Sequence, residues 1–241
     1  MPGFSFIHAA DLHLDSPFRG VTADAPAIAH AIRRSTFDAF DNLVALAVER
    51  RVDFVVIAGD VYDGRDRSLR AQLRFRDGLA RLSAAGIPSF VVHGNHDALD
   101  GWSSTIAWPD GVRIFGAEVD AEAVVRDGVA LARISGISFA HREETRNLVR
   151  LFPPRDGAVF HIGLVHCNVG GNPAHENYAP ADVADFRASD YDYWALGHVH
   201  ERAVLAEHPH VVYPGNSQAR HVREPGARGC VSRSTRTTSA K

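Results

Sequence analysis

Short apolar runs that end in polar, chemically active residues recur along this chain. Residues 54–58 are continuously apolar and rich in β-branched side chains, which is typical of a strand buried on both faces, and Gly59-Asp60 follows them. Four other runs end in the same way, at residues 4–10, 88–92, 159–165 and 193–196. Open α/β sheets bind their ligands beyond the carboxyl ends of such strands. We therefore expect the polar residues after these runs to meet at one edge.

Segments with helical spacing separate the first three runs. Residues 25–50 carry apolar side chains at the spacing of an amphipathic helix or a close pair of helices, and a second helical pattern follows Ser68, a predicted N-cap. Between residues 111 and 136 the pattern changes to short runs separated by Gly and Asp, which predict antiparallel strands of a second sheet. Short helices are predicted at residues 142–152 and 180–189. This order of elements predicts an α/β fold.

Composition places the chain among ordinary globular proteins. Its 241 residues are 45% hydrophobic and 23% charged, which suits one α/β domain with a full core. The formal net charge of -3 gives no overall attraction to nucleic acid, so a polyanion would have to use local patches. Cys167 and Cys230 lack the close spacing of a zinc or redox motif, which fits a reducing, cytoplasmic setting. The sequence shows no signal-peptide pattern and no apolar run near the roughly 20 residues that cross a membrane.

Asp, His and Asn dominate the residues that follow the apolar runs. In an extended segment residues i and i+2 point the same way, so Asp11 and His13 can face one side together, as can His198 and His200. These ligand types favour a divalent ion such as Mn²⁺, Fe²⁺ or Zn²⁺. The carboxylate of Asp60 has two oxygens and can bridge two ions. Two ions roughly 3.5–4 Å apart clamp the attacking and leaving oxygens of a phosphoryl transfer.

As an ordered set these residues resemble the signature of the calcineurin-like metallophosphoesterases. The set spans residues 4–200 and consists of Asp11-x-His13, Gly59-Asp60, Gly94-Asn95-His96-Asp97, His166 and Gly197-His198-x-His200. The resemblance implies a four-layer α/β/β/α sandwich of two mixed sheets with a two-metal site between them. Mn²⁺ is the expected metal, with Fe²⁺ or Zn²⁺ as alternatives.

The resemblance also implies roles by position. One metal would be held by Asp11, His13, Asp60 and His200, and the other by Asp60, Asn95, His166 and His198. His96 would be the catalytic acid that protonates the leaving oxygen, and Asp97 would orient it. Asp63, where some relatives carry a histidine, would have a supporting role.

Flanking segments resemble the SbcD-type DNA-repair exonucleases, at residues 8–20, 59–75, 192–202 and 211–224. This resemblance implies a metal-dependent DNA nuclease, a phosphoric diester hydrolase in which a hydroxide bridging the two metals attacks a backbone phosphorus. It implies DNA as a partner, with an SMC-like ATPase subunit and a second copy of the chain as further partners, and no membrane. Arg220, His221 and Arg223 follow a loop expected near the site, so we expect them to contact DNA.

The alternation of apolar runs stops after Gly229-Cys230. Residues 232–241 are small, polar and basic, which predicts a disordered tail and a metallophosphoesterase domain of residues 1–231. Relatives of the SbcD type continue into a DNA-capping region and a partner-binding segment, and we expect neither within this chain.

The sequence leaves two other functions open. A small-molecule or cyclic-nucleotide phosphodiesterase, or a phosphoprotein phosphatase, would use the same metal core. A non-catalytic scaffold would have lost ligands, whereas all seven positions are filled here.

Other polar residues have structural explanations. His8 and His161 alternate within strands and should be buried, and Arg142, Arg146 and Arg150 should lie on the solvated face of a helix.

Overall fold

Two β-sheets packed face to face form the centre of the computed structural model, which describes residues 2–18, 26–64, 68–101, 106–171 and 175–235. In chain order its helices and strands are β1 (Ser5–Ala9), α1 (Pro26–Arg50), β2 (Phe54–Ala58), α2 (Leu69–Ala84), β3 (Ser89–Val92), β4 (Val112–Ile114), β5 (Asp120–Arg126), β6 (Val129–Ile137), β7 (Phe160–His166), β8 (Tyr193–Gly197), β9 (Ala203–Glu207), β10 (His210–Tyr213) and β11 (Val231–Ser234). Two short 3-10 helices, Leu148–Leu151 and Asp185–Arg187, complete the set.

Both sheets are mixed, with parallel strands at their centres. The first sheet has the order β11-β1-β2-β3-β4, in which β1 to β4 are parallel and β11 is antiparallel to β1. The second has the order β5-β6-β7-β8-β10-β9, in which β6, β7, β8 and β10 are parallel and β5 and β9 are antiparallel edges. The predicted sandwich of two mixed sheets is confirmed.

Side chains alternate between two cores along the central strands of the first sheet. Phe6 and Phe54 face the second sheet, where their rings stack with centroids 5.1 Å apart. Ile7 and Val55 point the other way, into a core shared with α1 and α2. The strand β2 is therefore buried at every position, as its continuous apolar run predicted.

The helix α2 begins where the sequence predicted. The side chain of Ser68 accepts a hydrogen bond from the backbone N–H of Ala71 at 3.0 Å, which satisfies one of the free donors of the first turn. Predicted as an amphipathic helix or a close pair, residues 25–50 form the single helix α1 from Pro26 onwards. Residue 25 lies outside the described residues.

The outer layer of the second sheet is thinner than predicted. The 3-10 helices stand where helices were expected at residues 142–152 and 180–189. The backbone of Glu144 explains the first difference, because its carbonyl accepts from Ala179 N at 2.7 Å and is withdrawn from any helical ladder. Arg146 pairs with Glu144 at 2.7 Å, and Arg150 pairs with Asp185 at 2.8 Å. Arg142, Arg146 and Arg150 are exposed, as predicted, but residues 142–147 form no helix, so that part of the prediction is wrong.

Two strands lie elsewhere than the sequence predicted. The segment 112–115 was expected in the second sheet, but β4 pairs in parallel with β3 in the first. Residues 232–234 were expected in a disordered tail, but they belong to β11, and Thr235 N donates to Phe4 O at 2.8 Å. The prediction of disorder is therefore wrong for the start of this segment. Residues 236–241 lie outside the described residues.

Two histidines predicted to be structural are buried. His8 lies between the sheets, with Nδ1 3.0 Å from Tyr193 Oη and Nε2 3.1 Å from the carbonyl oxygen of Leu196. Burial lowers the pKa of His8 to about 3, so its ring is neutral. His161 is also buried, with Nε2 2.7 Å from the carbonyl oxygen of Asp156.

Neither α1 nor α2, the two α-helices in the described part of the chain, is long and apolar enough to cross a membrane.

The assignment of β11 leads to a stability prediction. A variant that ends at Gly229 loses the ladder with β1 and the hydrogen bond to Phe4, so we expect its free energy of unfolding to fall by about 2–5 kcal/mol. A variant that ends at Thr235 keeps these contacts and serves as the control. Urea unfolding followed by circular dichroism measures both. Equal stability of the two variants would contradict the role assigned to β11.

Candidate metal centre

The carboxyl ends of five strands meet at one edge of the sandwich, and the seven predicted ligands lie there. Six of them are buried and His200 is partly buried. They are Asp11 and His13 after β1, Asp60 after β2, Asn95 after β3, His166 at the end of β7, and His198 and His200 after β8. The geometry thus brings together side chains that are up to 189 positions apart, as the distance from Asp11 to His200 in the sequence shows.

The first group of predicted ligands is close enough to share one ion. Ligand atoms of Asp11, His13 and His200 all lie within 4.8 Å of one another. His13 Nε2 is 3.3 Å from His200 Nε2, and His200 Nε2 is 3.9 Å from Asp11 Oδ1. Asp60 Oδ2 lies 3.7 Å from His13 Nε2, on the side towards the second group.

The second group centres on Asn95. Its Oδ1 atom is 3.1 Å from His166 Nε2 and 3.2 Å from His198 Nδ1. Asp60 Oδ2 is 3.5 Å from His166 Nε2, so this one oxygen faces a histidine of each group. The other oxygen, Oδ1, accepts from the backbone N–H of His96 at 2.9 Å. Asp60 therefore has the placement of a bridging ligand.

The hydrogen bonds of the histidines show that this donor set fits metal ions. Three of them use the ring nitrogen that points out of the site to donate to an oxygen, which leaves a lone pair on the nitrogen that points in. The contacts are His166 Nδ1 to Ala58 O at 2.9 Å, His198 Nε2 to Glu176 O at 2.7 Å, and His200 Nδ1 to Glu224 Oε1 at 2.7 Å. The inward lone pairs face carboxylate and amide oxygens, and such an arrangement is stabilised by cations between them.

Burial shapes the charges of these groups. Desolvation, with the neighbouring histidines, lowers the pKa of His198 to about 2, so its ring is neutral and able to bind a metal. Desolvation, with the adjacent charge of Asp60, raises the pKa of Asp11 well above its ordinary range. Buried carboxylates of this kind need cations to remain ionised.

The backbone of the ligands is strained. Four of the seven have positive φ angles: Asp11 at 52°, His13 at 42°, Asp60 at 51° and His198 at 102°. Residues other than glycine avoid this region at a cost of about 1–3 kcal/mol each. Such strain clusters at functional sites because the surrounding structure holds it in place.

The backbones of the two sheets lie in close contact beneath the ligands. A Cβ atom at Gly197 would overlap the carbonyl oxygen of Ala58 in the opposite sheet and would press on the His166 ring. Likewise a Cβ at Gly94 would overlap Asp60 Oδ1. Only glycine allows the ligands of the two sheets to come within reach of the same ions.

His96, the predicted acid, lies beside the ligands and is held by Asp63. Its Nδ1 atom is 2.9 Å from Asp63 Oδ1. Burial alone would lower the pKa of His96, but the hydrogen bond to Asp63 and the charges of Asp60 and Asp63 raise it overall. For Asp63, burial opposes ionisation, but His96 and the charge of Arg220 together hold its pKa below the ordinary range. Asp63 therefore takes the orienting place at Nδ1 that was predicted for Asp97.

Asp97 instead fixes the loops that carry the ligands. Its carboxylate accepts from the backbone N–H groups of Asp60 at 3.2 Å, Val61 at 2.8 Å and Gly94 at 2.7 Å. The same carboxylate lies 2.9 Å from His93 Nδ1. These bonds tie the end of β2 to the end of β3, so Asp97 sets the position of Asp60.

A segment after β10 reaches into the site. Arg220 extends to Asp63, Ser16 and His13, as predicted for a residue near the site. Arg223, predicted with it, is exposed and donates its backbone N–H to His221 Nδ1 at 3.0 Å. The contact of Arg220, His221 and Arg223 with DNA stays a prediction.

Glu224 was missed by the sequence interpretation. One of its oxygens faces His200 Nδ1, and the other accepts from Arg220 N at 2.7 Å and from Asn216 Nδ2 at 3.0 Å. Contacts with these groups outweigh burial and lower the pKa of Glu224 to about 2. No local pattern in the sequence marks this residue.

An open cavity of about 320 Å³ lies over the ligands. Besides predicted residues, Arg142, His175 and Glu176 line it. The ring of His175 lies 5.4 Å from that of His198 and 5.5 Å from that of His200, measured between centroids. No role in the site was predicted for His175 or Glu176, and Arg142 was predicted on the solvated face of a helix. Only their spatial approach reveals them.

Comparison with known families matches residues 4–202 to the calcineurin-like phosphoesterases. The chain belongs to this family. The match covers every predicted metal ligand and ends two residues after His200. It leaves Arg220 and Glu224 outside.

Two curated proteins resemble the chain over most of its length. It is 44% identical over 227 residues to an uncharacterized metallophosphoesterase, YhaO, of Bacillus subtilis, covering 93% of this chain and 56% of that protein. It is 30% identical over 232 residues to the DNA double-strand break repair protein Mre11 of Haloferax volcanii, covering 92% of this chain and 47% of that protein. The chain thus spans about half the length of these relatives.

Solved structures confirm the fold. A dimetal phosphatase from Danio rerio superposes with a TM-score of 0.52 at 14% identity, covering 90% of this chain and 88% of that one. A Thermus thermophilus protein, TT1561, gives a TM-score of 0.51 at 11% identity, covering 89% of this chain and 90% of that one. At these identities the likeness concerns the fold alone.

The close approach at Gly197 leads to a prediction about metal binding. In Gly197→Ala the new Cβ meets a backbone carbonyl, which cannot rotate away, so the sheets must separate at the site. We expect the free energy of unfolding to fall by about 3 kcal/mol and Mn²⁺ affinity to fall at least about tenfold. Thermal unfolding and calorimetric titration with Mn²⁺ measure these effects.

Gly116→Ala is the matched control, because Gly116 is exposed and a Cβ there meets nothing within 4 Å. If Gly197→Ala bound Mn²⁺ as tightly as this control, the close contact of the sheets would have no part in forming the metal centre.

Proposed function

We propose that this chain is a metal-dependent phosphodiesterase that acts on DNA. The observation that carries the proposal is the convergence of seven Asp, His and Asn ligands from both sheets, with the His96–Asp63 pair beside them. The ligands form two groups that share Asp60, and two bound divalent cations would act as Lewis acids on a phosphate and lower the pKa of water. N and O donors without thiolate suit Mn²⁺, Fe²⁺ and Zn²⁺ alike, and Mn²⁺ is the proposed metal.

The residues around the ligands supply the proton chemistry. His96 lines the cavity, and Asp63 holds its Nδ1–H, so the ring is fixed and Nε2 is free to give a proton to the departing sugar oxygen. Asp97 keeps the Asp60 loop in place, and Glu224 keeps His200 in the tautomer that leaves Nε2 open. Together they hold the reacting groups in a fixed geometry, which contributes to the rate.

Two observations support DNA as the substrate. The Haloferax volcanii relative, whose name assigns it to double-strand break repair, aligns with 92% of this chain. The cavity of about 320 Å³ is at the small end of ligand pockets, which run from about 300 to 1,000 Å³, and it is open to solvent. Such a cavity accommodates one phosphodiester unit while the rest of a polymer stays outside. An SMC-like ATPase and a second copy of the chain are proposed as partners.

The substrate proposal is tested by comparing turnover of linear DNA, a cyclic nucleotide and a phosphopeptide with and without Mn²⁺. We expect Mn²⁺-dependent cleavage of DNA as the preferred reaction. Hydrolysis confined to the cyclic nucleotide or the phosphopeptide would remove the DNA claim. A protein that binds no metal and hydrolyses none of the three would instead be a scaffold.

The role of His96 is tested with His96→Ala. We expect kcat on DNA to fall by about 10² or more with Mn²⁺ binding unchanged, because the leaving oxygen loses its proton donor. The loss should be much smaller on bis(4-nitrophenyl) phosphate, whose leaving group departs without protonation. An equal loss on both substrates would contradict the assignment of His96 as an acid.

Asp63→Asn tests the orienting partner. We expect kcat on DNA to fall by roughly tenfold or more, and to fall little further when His96→Ala is already present, because the two residues act as one unit. Asp77→Asn is the control, since Asp77 lies on the exposed face of α2. Additive losses in the double variant would show that Asp63 acts independently of His96.

A further inference from the structure

Arg220 is a nearly buried guanidinium beside the candidate metal centre. Its side chain is only 10% exposed, although arginine is usually among the most exposed residues. It comes from the segment after β10, beyond the part of the chain that matches the family, and crosses to the loops after β1 and β2. A buried cation of this kind needs a reason, because its desolvation is costly.

Two of the three guanidinium nitrogens have anchoring partners. Nε and NH2 donate to Ser16 Oγ at 3.3 and 3.2 Å, and NH2 also donates to Asp63. The third nitrogen, NH1, lies 3.1 Å from His13 Nε2, a predicted metal ligand. The arginine is therefore fixed on one side and directed at the metal centre on the other.

The backbone of Arg220 is fixed as well. Its N–H donates to Glu224, whose other oxygen accepts from His200, a ligand of the same group as His13. The guanidinium and the ligands are thus positioned by one connected set of hydrogen bonds. The side chain cannot leave the site without breaking contacts that also hold Asp63 and Ser16.

We infer that Arg220 binds a non-bridging oxygen of the scissile phosphate through NH1. This inference rests on the proposed function of the site. The lone pair of His13 Nε2 can accept from NH1 or bind a cation, but not both. Once a cation takes it, NH1 has a free donor beside that cation, and the two like charges repel unless an anion lies between them.

A phosphate oxygen is the anion that fits this place. Asp63 already offsets the charge of Arg220, and the two ligand carboxylates, Asp11 and Asp60, cannot neutralise two divalent cations. The site therefore keeps a positive charge that an anionic substrate would balance. Guanidinium groups form short, directional hydrogen bonds to phosphate, which a compact ammonium group reproduces less well.

The plainer alternative is that Arg220 only clamps Asp63. The two roles differ in what they predict for anion binding. A clamp affects stability and the orientation of His96, and it leaves the affinity for free phosphate unchanged. A phosphate ligand contributes directly to that affinity. Inorganic phosphate is thus the probe that separates them.

The experiment is calorimetric titration of the Mn²⁺-loaded protein with inorganic phosphate. We expect Arg220→Gln to weaken phosphate affinity by about 10- to 100-fold, the effect of losing one charged hydrogen bond, with unchanged Mn²⁺ stoichiometry. Arg220→Lys should show an intermediate loss, because it keeps the charge but not the planar donors. Arg187→Gln, on the exposed outer layer of the second sheet, should match the wild type.

Each outcome decides the inference. Unchanged phosphate affinity in Arg220→Gln overturns the inference and leaves only the clamp. Weaker phosphate binding that is fully explained by a loss of Mn²⁺ overturns it as well. If Arg220→Gln fails to fold, Arg220→Lys decides, and wild-type affinity in that variant overturns the inference.

The outcome is separable from the proposed function. A wild type that cleaves DNA together with an Arg220→Gln variant that binds phosphate normally would refute the inference alone. A wild type that cleaves no phosphodiester, with Arg220→Gln still weak for phosphate, would refute the function alone.

Discussion

The contact between the two sheets beneath the ligands is the constraint on which the site depends. Gly197 lies against the carbonyl of Ala58, and that carbonyl also accepts from His166 Nδ1 at 2.9 Å. One peptide group of the first sheet thus fixes both the separation of the sheets and the tautomer of a ligand from the second. Had the sheets stayed at their usual spacing of about 10 Å to the very edge, Asp60 and His166 would not face each other at 3.5 Å.

Near that contact, two carboxylates hold the predicted ligands in place through hydrogen bonds. Asp97 acts on the backbone, since it gathers three N–H groups at the ends of β2 and β3. Glu224 holds the side chains of His200 and Asn216, and it also accepts from the backbone N–H of Arg220. The first comes from a family motif, and the second comes from a segment outside the family match. The candidate metal centre is therefore completed by parts of the chain that the motifs do not include.

The sequence predicted which residues meet at this edge, because each lies at or just after the end of a strand, and strands are marked by local apolar runs. It assigned the partner of His96 wrongly, because Asp97 is adjacent in sequence but turns to the backbone, whereas Asp63 arrives from another loop. Glu224 was not predictable, since its role depends on a contact with a residue 24 positions away. The short strand β4 is only partly buried, so its pattern did not reveal which sheet it joins.

The strand β11 has a consequence for the behaviour of the protein at high concentration. It occupies the outer side of β1, whose residues Phe6 and Ile7 are fully buried. An uncovered β1 would offer its free N–H and C=O groups and a strongly apolar sequence to a neighbouring molecule, and open edges of this kind promote intermolecular strand pairing and aggregation. β11 alternates partly buried and exposed residues and carries Arg233, which makes it a poorer template. The first sheet thus has β11 at this edge, a strand that is less prone than β1 to pair with a strand of another molecule.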